Sequence, residues 1–363
     1  MWRDATAWLC GTLISELTAG TNPVTFLGAL SARGWFGLGL LTLVTYCHWI
    51  SKLSRRPKDL PCPEFGCVLR VLYGLFSTRL AEFVLSYFLH TKQGEPQAEQ
   101  HGGTVAIAVG WPELRVEIIP VLGSVLGGNY AYLVWDEADP ERRAVVVDPS
   151  DPYPVYNAAR EKGLNVVALL CSHWHFDHSG GNRTLKRLLP SLEVVAGQTD
   201  ASRTPCVTRP VADLEEWNVG RLTIRAHHMP GHTLGSTIFE VETRADAIVP
   251  TIAFTGDTLF CGGCGALFEA SASVMYASFQ KLRQRLRADC QIFPGHEYTE
   301  MLLSMAVKRE PMNTAARRCL RQAQDKRAQQ LPTVPSTLTD ELEYNPHLRA
   351  DVRALAALCG CNN

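Results

Sequence analysis

Val166-Val167-Ala168-Leu169-Leu170-Cys171, followed directly by Ser172-His173-Trp174-His175-Phe176-Asp177-His178, is the stretch whose reading decides the fold. A short continuous apolar run reads as a buried strand. The polar residues after it then sit on the loop at the strand's C-terminal end, where open α/β sheets build their binding sites. His173 and His175 alternate and can turn toward one ion, while the adjacent pair Asp177 and His178 turns toward another. The pattern predicts a two-metal loop, with a structural metal clip the alternative for one local cluster taken alone.

Three later segments repeat the arrangement of an apolar strand, a tight turn and a ligand-type side chain. Pro230-Gly231-His232-Thr233-Leu234-Gly235 precedes a strand, Phe254-Thr255-Gly256-Asp257-Thr258 ends one, and Phe293-Pro294-Gly295-His296-Glu297 ends another. A lone His or Asp after a strand is ordinarily a capped or solvated polar residue. Three of them, each beside a glycine that permits close backbone approach, join the first cluster as remote candidates.

The periodicity around these segments predicts an α/β domain. Strands are expected at 115–122, 130–135, 144–148, 166–171, 222–226, 236–241 and 252–255, with a helix over 155–162 and helices after Glu297, notably around 315–330. Before Thr104 the composition changes. Residues 34–50 are uncharged and strongly apolar, and Lys52, Arg55, Arg56 and Lys58 follow. With residues 24–30 included, the stretch reaches the roughly 20 residues a spanning helix needs. The basic cluster after it favours a cytosolic catalytic domain. The spacing of Val68, Leu72, Leu75, Arg79 and Phe83 predicts a second apolar helix over 65–89, interrupted by Arg70, Arg79 and Glu82 and suited to a membrane interface or a protein surface. The polar stretch 92–103 is a natural linker. The expected organisation is a membrane-associated helical extension and linker over 1–103, a catalytic domain over 104–300 and a helical region over 301–363.

Composition narrows the function classes. The 363 residues are 46% hydrophobic and 20% charged, as in a globular protein. A net charge of -1 gives no reason to expect nucleic-acid binding, which needs a basic surface. The 12 cysteines are scattered along the chain, so a reducing compartment with mostly free thiols is expected. Cys261-Gly262-Gly263-Cys264 has no second pair at zinc-finger spacing, so no structural zinc is expected there.

Taken together, these segments resemble the metallo-β-lactamase superfamily and, within it, the glyoxalase II (hydroxyacylglutathione hydrolase) branch. The resemblance covers roughly residues 116–349. Beyond the ligand loops it includes Asp148-Pro149, Gly263-Cys264-Gly265-Ala266-Leu267-Phe268-Glu269-Ala270, Glu310-Pro311-Met312-Asn313, Val334-Pro335-Ser336-Thr337-Leu338 and Tyr344-Asn345-Pro346. The last three belong to the helical C-terminal part peculiar to that branch. Residues 148–152, 178–183 and the apolar N-terminal stretch are also similar to its membrane-associated paroxysmal nonkinesigenic dyskinesia protein-like group.

The resemblance implies a four-layer αββα sandwich with the active site at one sheet edge. It implies that His173, His175 and His232 hold one metal, that Asp177, His178 and His296 hold a second, and that Asp257 bridges them. Imidazole and carboxylate donors without thiolate suit Zn, Fe or Mn, with two zinc ions the expected cofactor. The implied reaction is hydrolysis of a glutathione-linked acyl thioester, with Asp177 and Asp257 as catalytic carboxylates. Persulfide dioxygenase chemistry on one iron, or a membrane-bound scaffold with a nearly silent site, are the alternatives.

The substrate contacts depart from the pattern. Ala266 stands where the branch has a lysine and Phe268 where it has a tyrosine, and only Tyr298 keeps the expected identity. The branch's basic C-terminal Arg-Arg-x-Lys-Asp segment does not occur among residues 349–363. Each lost charged hydrogen bond costs about 1.5–3 kcal/mol of recognition, unless Arg283, Arg285 or another cation substitutes.

Overall fold

The computed structural model describes residues 105–108, 113–122, 128–243 and 251–351, all within the compact unit Arg70–Asn363. The apolar stretches 34–50 and 65–89 and the linker lie outside the described residues. Among the described residues no helix is long and apolar enough to cross a membrane.

Seven strands form the first sheet in sequence order: β1 (Val105–Ala108), β2 (Leu114–Val121), β3 (Asn129–Asp136), β4 (Arg143–Val147), β5 (Asn165–Cys171), β6 (Glu193–Gly197) and β7 (Arg209–Val211). The pairs from β1 to β4 are antiparallel, and those from β4 to β7 are parallel. Parallel pairing requires crossovers, supplied here by α1 (Pro152–Glu161) and by the short helices α2 (Phe176–Ser179) and α3 (Asn182–Leu188). The second sheet runs β13-β12-β11-β10-β9-β8. Its strands are β8 (Glu216–Val219), β9 (Leu222–His228), β10 (Thr237–Thr243), β11 (Ile252–Gly256), β12 (Gln291–Pro294) and β13 (Ser336–Thr337). Only β11 and β12 are parallel, joined through α4 (Ala272–Arg285). Helices α5 (Thr299–Arg309), α6 (Thr314–Ala328) and α7 (Leu338–Tyr344) complete the described chain.

Strand alternation turns the two sheets into four layers. Val134, Val145 and Leu170 face inward and pack with Ile224, Phe239, Phe254 and Phe293 of the opposite sheet. Their neighbours Leu133, Val146 and Leu169 face outward onto Val155 and Ala159 of α1 and Leu185 of α3. On the other side, Ile238, Ala253 and Ile292 pack against Met275, Phe279 and Leu282 of α4. Because both faces of each sheet are covered, central strands such as β3 and β11 are buried throughout and read as continuous apolar runs.

Most boundaries shift by one or two residues from the sequence expectation, and two of the differences have a local cause. The helix expected over 155–162 begins three residues earlier, because the Asp151 side chain accepts from the Tyr153 amide and Pro152 stands in the first turn. The strand expected over 144–148 stops at Val147, because Asp148 takes the left-handed conformation, φ 48°. The described cysteines are free thiols.

Candidate metal centre

Strands β4 and β5 run parallel, as do β11 and β12, so each pair delivers its following residues to one edge. Asp148 follows β4, Ser172–His178 follow β5, Asp257 follows β11 and His296 follows β12, while His232 lies on the β9–β10 loop. The two sheets are stitched at this edge. Tyr130 N donates to Gly295 O at 2.9 Å, Glu297 N to Gly128 O at 2.9 Å, and Thr237 N to Ser172 O at 2.9 Å.

All seven candidate ligands come together there and are buried, apart from a part-exposed Asp177. The ligand atoms of His173, His175 and His232 lie within 4.8 Å of one another, as do those of Asp177, His178 and His296, and of His173, His178 and Asp257. Asp257 Oδ2 stands 3.5 Å from His232 Nε2 and 3.4 Å from His296 Nε2, so one carboxylate reaches both histidine sets.

Hydrogen bonds outside the cluster fix which ring nitrogen carries a lone pair. His232 Nδ1 donates to Ala266 O at 2.7 Å. Ser172 Oγ donates to Asp148 Oδ2 at 2.6 Å, so it accepts from His173 Nδ1 at 3.0 Å. His178 Nδ1 donates to the same Asp148 oxygen at 3.0 Å. The Nε2 atoms of His173 and His232 are therefore left with lone pairs aimed inward, and His178 turns its Nε2 to the same centre. Two of these, on His173 and His232, lie 3.0 Å from His175 Nδ1, whose single proton could satisfy only one. Asp177 Oδ1 is buried without a hydrogen-bond partner, and His178 Nε2 and Asp257 Oδ1 face each other at 3.2 Å without an aligned hydrogen bond. A native interior rarely leaves such atoms unpaired. Converging lone pairs and orphaned carboxylate oxygens fit divalent cations.

The electrostatics divide the cluster in two. Burial, reinforced by the neighbouring imidazoles, holds His173 and His175 well below the ordinary histidine range, and burial also lowers His232. These rings are neutral donors. Burial opposes charge on His296 too, but the Asp257 and Asp177 carboxylates prevail and push it up to about 9. His178 is raised well above its usual value despite burial, chiefly by Asp257 and Asp177. Both carboxyls in turn lie below the usual range, against their burial, because His296 and His178 face them.

Glycines let the loops close around the ligands. Gly256 holds φ 48° ahead of Asp257, and a Cβ there would meet Ser172 Oγ at 2.4 Å. A Cβ on Gly295 would lie 2.5 Å from His178 Cε1 and 2.7 Å from Asp257 Oδ1.

Asp148 is the functional residue that ligand spacing did not single out. It also accepts the Ser172 amide at 2.8 Å, so one carboxylate orients the loop backbone and the rings of both His173 and His178. The only sequence signal is an aspartate before proline at a strand end. Glu269 forms a second support. It accepts from Trp174 Nε1 at 3.1 Å, from Leu234 N at 2.7 Å and from Arg203 at 2.5 and 3.0 Å.

The expected substrate positions border the same centre. Ala266 supplies the carbonyl that fixes His232. The Phe268 ring lies 5.0 Å from His232 and 5.6 Å from His175, and Tyr298 stacks on His296 at 4.7 Å with an interplanar angle of 4°. The cations considered as substitutes are engaged elsewhere: Arg285 pairs with Asp213 at 2.8 Å and Arg283 with Asp351 at 3.1 Å.

Residues 125–296 match the metallo-β-lactamase superfamily, and residues 297–363 match the hydroxyacylglutathione hydrolase C-terminus. The chain is 37% identical over 239 residues to a cytoplasmic hydroxyacylglutathione hydrolase of Arabidopsis thaliana, covering 66% of this chain and 90% of the relative. It is 36% identical over 247 residues to a hydroxyacylglutathione hydrolase-like protein of Gallus gallus, covering 68% and 84%. A metallo-β-lactamase structure from Staphylococcus aureus is 21% identical, covering 65% of this chain and 64% of that one, with a TM-score of 0.47.

Proposed function

Because this chain belongs to the hydroxyacylglutathione hydrolase family of the metallo-β-lactamase superfamily, we propose that its buried His/Asp cluster is a two-metal centre for thioester hydrolysis. The observation that carries this reading is the reach of Asp257 to both His232 and His296. His173, His175 and His232 would hold one ion, Asp177, His178 and His296 the other, and Asp257 would touch both. With nitrogen and carboxylate donors and no thiolate, zinc suits the site, as do iron and manganese. Divalent cations bound there supply Lewis acidity, lowering the pKa of water and polarising a carbonyl.

The chain's own residues do the rest. Asn129 holds Asp177 through its backbone carbonyl at 2.8 Å and Oδ2 at 3.4 Å, which leaves Oδ1 to accept a hydrogen bond from the attacking water. The Phe268 ring covers His175 and His232 and limits the entry of bulk water. Tyr298 fixes the plane of His296 by stacking. A thioester suits such a site because a thiol, with pKa about 8.5, leaves as thiolate without a strong acid. A glutathione-linked thioester is the substrate class supported by the relatives' names.

Elemental analysis of the full chain, joined to assays with S-lactoylglutathione, other acyl thioesters and glutathione persulfide, tests this reading. Two metal equivalents and chelator-sensitive thioester hydrolysis are expected, without persulfide oxidation. Undiminished hydrolysis by metal-free protein would overturn it.

We further propose that residues 24–90 attach the protein to a membrane with the catalytic domain on the cytosolic side. The uncharged run 34–50 followed by Lys52, Arg55, Arg56 and Lys58 supports this. Deleting the residues before Thr104 should move the protein from the pelleted to the soluble fraction; unchanged pelleting would refute the attachment.

A further inference from the structure

The side chains bordering the His173, His175 and His232 set are built largely of carbon. The half-buried Phe268 ring lies against His232 and His175. Leu234, two residues after His232, is 48% exposed, and Leu267, beside Phe268, is 42% exposed. The two backbone segments that carry them are pinned together at both ends, by Leu234 N to Glu269 Oε2 at 2.7 Å and by His232 Nδ1 to Ala266 O at 2.7 Å. Leu234 and Leu267 therefore stand on opposed segments at the rim of one centre.

The ionic groups of this rim are spent on one another. Arg203 gives Nη1 to Glu269 at 2.5 Å and Nη2 to Asp200 at 2.6 Å, and its guanidinium lies 4.6 Å from the Trp174 ring. Two carboxylates hold the one cation between them, and both are tied down, since Asp200 also accepts from Thr233 Oγ1 at 2.8 Å. An isolated exposed leucine needs no explanation. Two of them flanking a part-exposed phenylalanine, all within a few residues of polar ligands, reproduce the make-up of a small-molecule site, apolar walls around a few fixed polar groups.

We propose that this rim binds the apolar acyl chain of the substrate, which makes medium-chain acyl thioesters the preferred class; the proposal rests on the thioester-hydrolase reading above. The acyl chain is the part that fits, because methylenes gain by leaving water, whereas the amides and charges of a carrier thiol would lose hydration against Leu and Phe without finding partners. In the reaction the water oxygen bonds to the carbonyl carbon and the carbon–sulfur bond breaks. The bonding pair leaves on sulfur, and the water's protons pass to the thiolate and to the medium as the carboxylate forms.

The test is a chain-length series on the metal-loaded full chain: acetyl, butanoyl, hexanoyl and octanoyl thioesters of N-acetylcysteamine, beside S-lactoylglutathione. The expected result is a kcat/KM that rises by about two- to fourfold per methylene, with octanoyl the best substrate and a slope that flattens in Leu234→Ser and Leu267→Ser. A flat series, or S-lactoylglutathione outrunning octanoyl, would overturn the proposal. Calorimetric titration with the corresponding 2-oxoalkyl thioethers, which cannot be hydrolysed, separates the two readings. If no thioester turns over yet affinity climbs with chain length, the hydrolase reading fails and the acyl-binding rim stands. Chain-length-independent affinity would overturn the rim on its own.

Discussion

His178 Nδ1 donates to Asp148 Oδ2 at 3.0 Å across 30 positions of sequence, and the same oxygen accepts Ser172 Oγ at 2.6 Å. One buried carboxylate thus sets the ring orientation of a ligand in each half of the centre, directly for His178 and through Ser172 for His173. Outer partners of this kind typically contribute 10–100-fold to metal affinity. Asp148→Asn keeps the shape but offers a single acceptor oxygen in place of two. Metal affinity should fall by about 10–100-fold, read by competition with a chromogenic chelator, while circular dichroism stays native. Unchanged affinity would show that Ser172 and the packing alone hold the rings.

Asp257 and His175 should separate the two halves. Asp257 lies beside both histidine sets, whereas His175 Nδ1 lies 3.0 Å from His173 and His232 of the first set. Asp257→Ala is expected to lose both ions and all hydrolysis, and His175→Ala to lose hydrolysis while retaining part of the metal. Elemental analysis alongside turnover distinguishes them. Equal metal loss in both variants would mean that the halves do not bind independently.

The convergence of the seven candidate ligands was legible in the sequence because each follows a strand run or a glycine turn, and the parallel pairs β4–β5 and β11–β12 bring their ends to one edge. Asp148 was not legible as a support: its role depends on a left-handed turn that aims it at a helix 30 residues away. Helix α4 carries Met275, Phe279 and Leu282 at helical spacing, a signal that the polar residues between them diluted. Strands β6, β7 and β8 are only 5, 3 and 4 residues long, and Pro210 interrupts β7, so neither length nor alternation marks them. The coupling of Glu269 to Arg203 spans 66 positions and has no local pattern at all.

That coupling has a pH signature. Burial alone would raise the Glu269 carboxyl, but Arg203 and the Leu234 amide hold it below the ordinary glutamate range. A depressed folded pKa adds stability that is complete above the unfolded value, about 4.3, and is lost as pH falls through the folded one. Glu269→Gln should therefore be less stable than wild type by about 1 kcal/mol at neutral pH, a modest amount because the Arg203 side is part-exposed. The gap should close as pH drops below about 4. Urea denaturation of both proteins across this range checks the sign; a gap that widens in acid would contradict it.

The C-terminal helical region is held to the catalytic sheets by Glu341, a fully buried carboxylate. It accepts from Gly262 N at 2.9 Å, Ser336 Oγ at 2.7 Å, Tyr344 OH at 2.7 Å and Asn345 Nδ2 at 2.8 Å. Asn345 in turn caps the carbonyls of Phe260 and Gly263 at 3.2 and 3.0 Å, and Phe260 packs edge-on against His296. Removing the acceptor strands the Gly262, Ser336 and Tyr344 donors in the interior, each costing about 1–3 kcal/mol if water does not reach it. Glu341→Ala should therefore lose about 3 kcal/mol or more of stability. It should also loosen the Phe260 turn enough to lower metal retention, since that turn buttresses His296. Denaturant titration with and without added zinc tests both effects. If the lost stability is fully restored by metal while retention is normal, Glu341 acts on the C-terminal region alone and the link to His296 is not transmitted.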